Sequence, residues 1–358
     1  MGAKQTKKLK AAFIGSGGIT DIYHDCFKRI DEIEVAALAD INMDTMLARA
    51  EKHDLPHDIL YTNYKQMLRE TKPDVVFVCT PNSLHAPASI AASNAGAHVM
   101  VEKPMAMNAR EGKRMIDAAK KARKKIIVAY QWRFDPRTQF IKKQVDSGVI
   151  GDVLYGKVHA LRRRGIPNWG VFGQKALQGG GPMIDIGVHS LEMCHYAMGS
   201  PKPVAASGMT WTYLGNKPSD QVESIWKGWD YKTYDVEDLA VGHIRFDNGA
   251  VIQVESSFAA HIPENKIDFQ LMGTKGGATW DDSRIFKDEN GYMVDTKPHH
   301  LPQPDFAENF YLKIRNFIDH ILYGSKPIAP IEDGLMVQQM LDAIYKSADQ
   351  GGKEVKIK

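Results

Sequence analysis

Lys103 stands between Glu102 and Pro104 at the end of an apolar run, and Asp185 and His189 lie four residues apart in a segment with a helical pattern. An ammonium can donate to a substrate oxygen, and an imidazole can take the proton of a hydroxyl while its carbon is oxidised. Positions i and i+4 of a helix share a face, so the Asp185 carboxylate and the His189 ring can converge on one bound hydroxyl. Competing readings are a surface ion pair of Lys103 with Glu102, a surface pair of Asp185 with His189, and two ligands of a divalent metal that would still need a third. No further ligand cluster is evident in the chain, so no metal is expected.

A glycine loop supplies the partner for such chemistry. Gly15-Ser16-Gly17-Gly18-Ile19-Thr20 follows the first apolar run and opens a helix, and Asp40 closes the next run about twenty residues on, the dinucleotide fingerprint. Gly15 makes the turn, Gly17 and Gly18 admit a pyrophosphate to the backbone, and the helix N-terminus from Ile19 onward adds partial positive charge. Thr20 stands where a third glycine is usual. A carboxylate at Asp40 accepts bonds from ribose hydroxyls and repels a 2′-phosphate, so NAD is expected over NADP; Arg49 lies a helix away. Thr80-Pro81-Asn82, with His85 beyond it, closes the fourth run, where the strand order 3-2-1-4-5-6 would set it beside the cofactor. His85 reads equally as a helix-start residue bonded to backbone. Lys103 ends the fifth run at the same crevice, Pro104 constrains the chain after it, and a cationic nicotinamide nearby would depress its pKa.

Those positions need elements to hold them. Apolar runs at 9–15, 34–40, 59–61, 74–80, 97–102 and 126–130 alternate with helical segments, as βαβ units do. Leu84 to Ala95 reads as a helix with Pro87 in its first turn and Gly96 past its end. Asn108 and Glu111 form a capping box for the next helix, with Met115, Ile116 and Ala119 on its buried side. After Tyr130 a helix ends before Ser147-Gly148, and longer alternating runs follow at 153–163, 204–213, 239–246, 250–258 and 266–272. Asp247-Asn248-Gly249 marks a hairpin in which Asn-Gly supplies positive φ angles. Gly179 to Gly181 with Pro182 introduce a helix through Met198, further helices are expected near 306–322 and 333–348, and 216–229 reads as a loop near the domain junction. The fold class is therefore α/β: a doubly wound parallel sheet over 1–130, then an antiparallel sheet domain over 131–358, with room for the C-terminal helix to pack back on the first domain.

Composition narrows the classes. The 358 residues are 43% apolar and 25% charged with a net charge of +3, which argues against a disordered chain and against a nucleic-acid surface. The basic run at 120–125 reads as a solvated helix end. Three isolated cysteines fit a reducing compartment, so the cytoplasm is expected, and no apolar run spans a bilayer, so no membrane partner is expected.

Arg162-Arg163-Arg164 close a strand ahead of the Asp185 helix, with Trp169 just beyond. Alternation sets Arg162 and Arg164 on one face and Arg163 on the other. Arg163 or Arg164 could grip an anionic group and Trp169 could stack on a sugar ring, against the alternative of an edge-strand ion-pair surface. His195, among Met193, Cys194 and Tyr196, reads as a packed residue.

The motifs together resemble one family: Gly15-x-Gly17-Gly18-Ile19, Thr80-Pro81-Asn82-x-x-His85, Glu102-Lys103-Pro104, and Gly179-Gly180-Gly181-x-x-x-Asp185-x-Gly187-x-His189-x-x-Glu192 are similar to the glucose–fructose oxidoreductase / inositol dehydrogenase / MocA family. The resemblance runs through Ile331-Glu332-Asp333-Gly334 and Lys346-Ser347-Ala348, and implies a Rossmann domain followed by an open, mostly antiparallel sheet through which homodimers or homotetramers form. It implies that Lys103 is the catalytic lysine, that Asp185 binds substrate, that His189 is the acid/base, and that Arg133 lies beside the nicotinamide. Glu192 stands where aspartate is common. The expected activity is NAD-dependent oxidation of a hydroxyl on a sugar, sugar derivative or cyclitol. An NAD-dependent glycosidase and a non-catalytic sensor of dinucleotide or sugar are the alternatives.

Overall fold

A computed structural model describes residues 8–218 and 220–358. The chain forms two compact units, one built from residues up to Gln131 with Asp305–Gly334, the other from Trp132–Pro304 with Leu335–Lys358.

In the first unit β1 (Leu9–Ile14), β2 (Ile33–Ala39), β3 (Leu60–Tyr61), β4 (Val75–Val78), β5 (His98–Val101) and β6 (Ile126–Val128) alternate with α1 (Thr20–Phe27), α2 (Met43–Lys52), α3 (Tyr64–Thr71), α4 (His85–Asn94) and α5 (Ala109–Ala122). The strands pair in parallel in the order β3-β2-β1-β4-β5-β6. All four residues of β4 are buried, as a strand covered on both faces requires. Asn108 caps α5 by accepting the Glu111 N–H at 3.0 Å, and Met115, Ile116 and Ala119 face the core.

The second unit contributes α6 (Pro136–Asp146), β7 (Val153–Leu161), the short α7 (Lys175–Gln178), a π-helical turn over Met183–Gly187 that runs into α8 (Val188–Ala197), and β8 (Pro203–Trp211). Then come β9 (Leu239–Phe246), β10 (Val251–Ser257), β11 (Lys266–Gly273), β12 (Gly276–Thr279), β13 (Arg284–Glu289) and β14 (Tyr292–Thr296), with β15 (Val355–Lys356) near the end of the chain. The sheet order is β14-β13-β12-β11-β7-β10-β9-β8-β15, antiparallel except for β7 with β10. The β9–β10 hairpin uses only one positive φ, +86° at Gly249, whereas Asn248 keeps a negative φ and accepts the Ala250 N–H at 3.1 Å. The described residues of 216–229 form neither helix nor strand; Ser219 lies outside the described residues, as does the lysine-bearing start of the chain.

After β14 the chain returns to the first unit as α9 (Phe306–Tyr323), capped by Asp305, and then forms α10 (Ile331–Ala348), which from Leu335 belongs to the second unit. The spacing of Phe310, Ile314, Phe317 and Ile318 puts them on one stripe of α9, and they share a core with Phe13, Tyr23, Phe77 and Met100. In the second unit Ile344 of α10 meets β8 and β9 where Gly208 and Gly242 leave room: a Cβ at either would come within 2.8 Å of it.

Candidate active site

The glycine loop has the steric profile of a dinucleotide cradle. Gly15 has φ +92°, and a Cβ there would sit 2.4 Å from the Cys79 carbonyl oxygen, so only glycine lets the β1 turn pass this close to the end of β4. A Cβ on Gly17 or Gly18 would meet nothing within 4 Å, so the protein leaves open the space beside this stretch of loop, where a phosphate can approach the backbone. Thr20 is fully buried and its hydroxyl donates to the Gly17 carbonyl at 2.8 Å, so it locks the loop that a third glycine would only pack against. Ile19, just ahead of α1, is exposed.

Asp40 follows β2 directly and is half-buried, its two carboxylate oxygens accepting the Ser16 N–H at 2.7 Å and the Asn42 N–H at 3.0 Å. That pins it to the loop where a ribose would lie. Arg49 of α2 is engaged with the loop itself, donating to the Ser16 and Gly17 carbonyls at 3.4 and 3.3 Å and pairing with Asp21. Burial works against the Asp21 carboxylate, but Arg49, His53 and Lys52 outweigh it and hold its pKa well below the usual range. Asp40→Ala should lower the preference for NAD over NADP by about tenfold or more, the worth of a charged hydrogen bond. Ratios of kcat/KM for the two cofactors measure it, and an unchanged ratio contradicts the assignment.

Pro81 leads into a 3-10 turn over Asn82–Leu84, with Thr80 half-buried before it and Asn82 buried. His85, expected at the cofactor, is 1% exposed, with Nδ1 2.7 Å from the Pro104 carbonyl oxygen and Nε2 2.9 Å from that of Thr80. Both ring nitrogens are engaged by backbone, so its geometry is that of a staple between the two strand-end loops. Burial depresses its pKa. Glu102 is buried, 8% exposed, not a surface group: it accepts from Tyr23 and Lys313, and its second oxygen accepts the Lys103 backbone N–H at 3.3 Å. Lys103 itself is half-buried.

In the second unit Asp185 lies in the π-helical turn and His189 in the first turn of α8. They are the two half-buried residues of the stretch 181–190, whose other members are all buried. A π turn changes the angular step, and both polar side chains keep partial exposure in an otherwise buried stretch. Glu237 anchors the start of this segment, accepting the Gly181 and Met183 N–H groups at 2.8 and 3.2 Å and the Tyr345 hydroxyl at 2.7 Å. Burial raises the Glu237 pKa, while the N–H groups and Tyr345 act against that rise. Gly187 lets the turn lie on β10, since a Cβ there would be 2.9 Å from Ser256 Oγ. Arg133, expected beside the nicotinamide, has a side chain with no exposed surface, and its Nε donates to Glu192 Oε2 at 2.7 Å. A buried guanidinium requires a counter-charge, and Glu192 on α8 supplies it, fixing the helix that carries His189. His195 is fully buried, with Nε2 2.8 Å from the Pro201 carbonyl oxygen. No group of three His, Cys, Asp or Glu residues able to hold a metal occurs among the described residues.

The arginine run alternates as its strand demands, Arg163 exposed and Arg162 and Arg164 half-buried. Arg163 donates to the Pro263 carbonyl at 3.0 Å, and Arg164 to those of Arg163 and Ala260 at 2.7 Å each. Arg162, which sequence reasoning did not single out, stacks over Trp226 at 5.1 Å, and burial lowers its pKa while the charge of Asp185 acts against that fall. Trp169 is 49% exposed and meets Trp226 edge-on at 4.7 Å. Arg162→Met should therefore lower kcat/KM by about tenfold, the worth of a charged contact, whereas Arg163→Ala should stay within about threefold. Equal losses in the two variants would contradict this ranking.

Comparison with known proteins shows the family. Residues 9–130 match the family model described as "Oxidoreductase family, NAD-binding Rossmann fold", and residues 142–357 that described as "Oxidoreductase family, C-terminal alpha/beta domain". The chain is 36% identical over 353 residues to the D-glucoside 3-dehydrogenase of Escherichia coli K12, covering 98% of each. It is 30% identical over 320 residues to the levoglucosan dehydrogenase of Pseudarthrobacter phenanthrenivorans, covering 80% of this chain and 81% of the relative. A solved levoglucosan dehydrogenase in complex with NADH and levoglucosan superposes with a TM-score of 0.82 at 25% identity, covering 98% of this chain and all of the other. No helix among the described residues is long and apolar enough to cross a membrane. The chain belongs to the glucose–fructose oxidoreductase / inositol dehydrogenase / MocA family, as an oxidoreductase acting on CH–OH groups whose first domain binds NAD.

Proposed function

We propose that this protein is an NAD-dependent dehydrogenase that oxidises a secondary ring hydroxyl of a pyranose to a ketone, with glucosides as its leading substrates. The observation that carries the reading is the pair Asp185 and His189, two half-buried polar side chains in an otherwise buried segment anchored by Glu237. When bound, NAD supplies the acceptor for the hydride that leaves the ring carbon. His189 takes the hydroxyl proton as the C–O bond becomes a carbonyl, Lys103 donates to that oxygen, and Asp185 holds a neighbouring hydroxyl so that one carbon is presented. Two electrons leave with the hydride and one proton goes to the imidazole. The relatives named for a glucoside and for an anhydrosugar support a ring substrate over a linear polyol. The same reading carries a homodimer or homotetramer, supported by the exposed Leu154, Trp211, Ile267 and Met272 on strands of the second sheet.

The test is NADH formation with methyl β-D-glucoside, levoglucosan, D-glucose, myo-inositol and glucuronate, with NADP run alongside. Turnover of the glucoside above the cyclitol supports the reading. Release of methanol without net NADH would point to glycoside cleavage through transient oxidation, and no turnover on any member to a non-catalytic sensor.

A further inference from the structure

Lys313 of α9 lies on the same stripe as Phe310, Ile314 and Phe317, and its side chain has no exposed surface. Its ammonium lies 3.7 Å from the centre of the Phe310 ring and 4.5 Å from that of Tyr23. It donates to the Tyr23 hydroxyl at 2.8 Å and to Glu102 Oε1 at 3.3 Å, while the Tyr23 hydroxyl donates to the same carboxylate oxygen. Apolar residues of similar size would pack here, and replacing a buried ion pair in that way is often neutral or stabilising. A charge kept in an aromatic core therefore points to a task other than stability. The geometry names it: Glu102 Oε1 is held by Lys313 and Tyr23, and Oε2 receives the backbone N–H of Lys103.

We propose that Lys313 is a positioning residue for Lys103, acting through Glu102: it fixes the carboxylate whose second oxygen receives the Lys103 backbone N–H. Tyr23 belongs to α1, the helix that leaves the glycine loop, so the same three-residue knot joins the cofactor loop, the end of β5 and the returning C-terminal segment. The inference rests on the reading of Lys103 as the catalytic lysine, and its test includes a readout that needs no substrate.

In Lys313→Met the Glu102 carboxylate loses its buried ion partner and is free to leave the Lys103 backbone N–H. Acetylation of Lys103 by dilute acetic anhydride, followed by mass spectrometry, should then change severalfold in rate relative to the exposed Lys120, because the lysine is no longer held in one place. With methyl β-D-glucoside, kcat should fall about 10–100-fold, the effect of a misplaced catalytic group, while the Kd for NAD stays within about twofold. Glu102→Leu/Lys313→Met removes both charges and the acceptor of the Lys103 N–H; it should recover the melting temperature but neither the labelling rate nor kcat, because nothing then orients Lys103. Should the single variant fail to fold, the double variant decides, with Tyr23→Phe as a milder break in the same knot that should lower kcat severalfold. Unchanged Lys103 labelling in Lys313→Met, or a double variant that recovers kcat together with its melting temperature, would overturn the proposal. Lys103→Ala in parallel separates the two readings: if that variant turns over, it is the assignment of Lys103 that fails.

Discussion

Lys103→Ala and His189→Ala should each lower kcat by on the order of 10²–10⁴-fold, the usual contribution of a positioned acid or base, while leaving the Kd for NAD unchanged. The reason lies in where each side chain is held. Lys103 follows Glu102, which is fixed from behind, and precedes Pro104, whose carbonyl faces His85, so the lysine has little backbone freedom to lose. His189 rides on a helix tied at its start by Glu237 and along its length by the Arg133–Glu192 pair. Neither side chain belongs to the glycine loop or to Asp40, so neither substitution should reach the cofactor's phosphates or ribose. Steady-state kinetics together with a fluorescence titration of NADH measure both halves of the prediction. Loss of NAD binding in either variant would mean that the residue holds the cofactor rather than the reacting hydroxyl.

Gly15→Ala should abolish NAD binding and lower stability by about 2–4 kcal/mol, the sum of a left-handed backbone cost and overpacking against rigid main chain. The obstacle is the Cys79 carbonyl oxygen, 2.4 Å from where the Cβ must go, and backbone in a buried parallel sheet cannot rotate away as a side chain would. Either β1 moves off β4 or the loop changes course, and both changes displace the N–H groups that face the pyrophosphate. Gly17→Ala is the control, because its Cβ enters open space within the protein and only a bound phosphate would feel it. Thermal unfolding and NADH titration of the pair separate the two causes: both variants lose affinity, and only Gly15→Ala loses stability. A Gly15→Ala protein with the melting temperature of the parent would refute the steric account.

The sequence made the first unit legible because its strands are buried on both faces and stand out as apolar runs, and because Gly15 and Asp40 tie two of them to one ligand. Much of the second sheet was legible for a different reason, the alternation visible in β9, where every second residue is buried. Strands β12, β13 and β14 were not, since Gly276-Gly277 carries no strand preference and the exposed faces of Arg284–Glu289 and Tyr292–Thr296 break the apolar rhythm. The π-helical turn left no trace either, because its hydrophobic pattern differs too little from that of an α-helix over five residues. Lys103, Asp185 and His189 were legible as residue types at telling positions, but the groups that support them were not. Glu237 reads as one more carboxylate before a strand, and Arg162 as one of three equivalent arginines. Lys313 did leave a signal: it interrupts the apolar stripe that runs from Phe310 to Phe317, and a lysine on the buried side of a helix calls for a partner.

The central claim, that this chain moves hydride from a sugar carbon to nicotinamide, is tested most directly by isotope transfer. Methyl β-D-glucoside deuterated at C3 is incubated with the protein and NAD, and the dinucleotide is analysed by mass spectrometry. Deuterium on the reduced nicotinamide, formed by the parent protein and not by His189→Ala, is the predicted result. Reduced dinucleotide without the label would move the oxidised carbon elsewhere on the ring, and no reduced dinucleotide from any sugar of the panel would contradict the account.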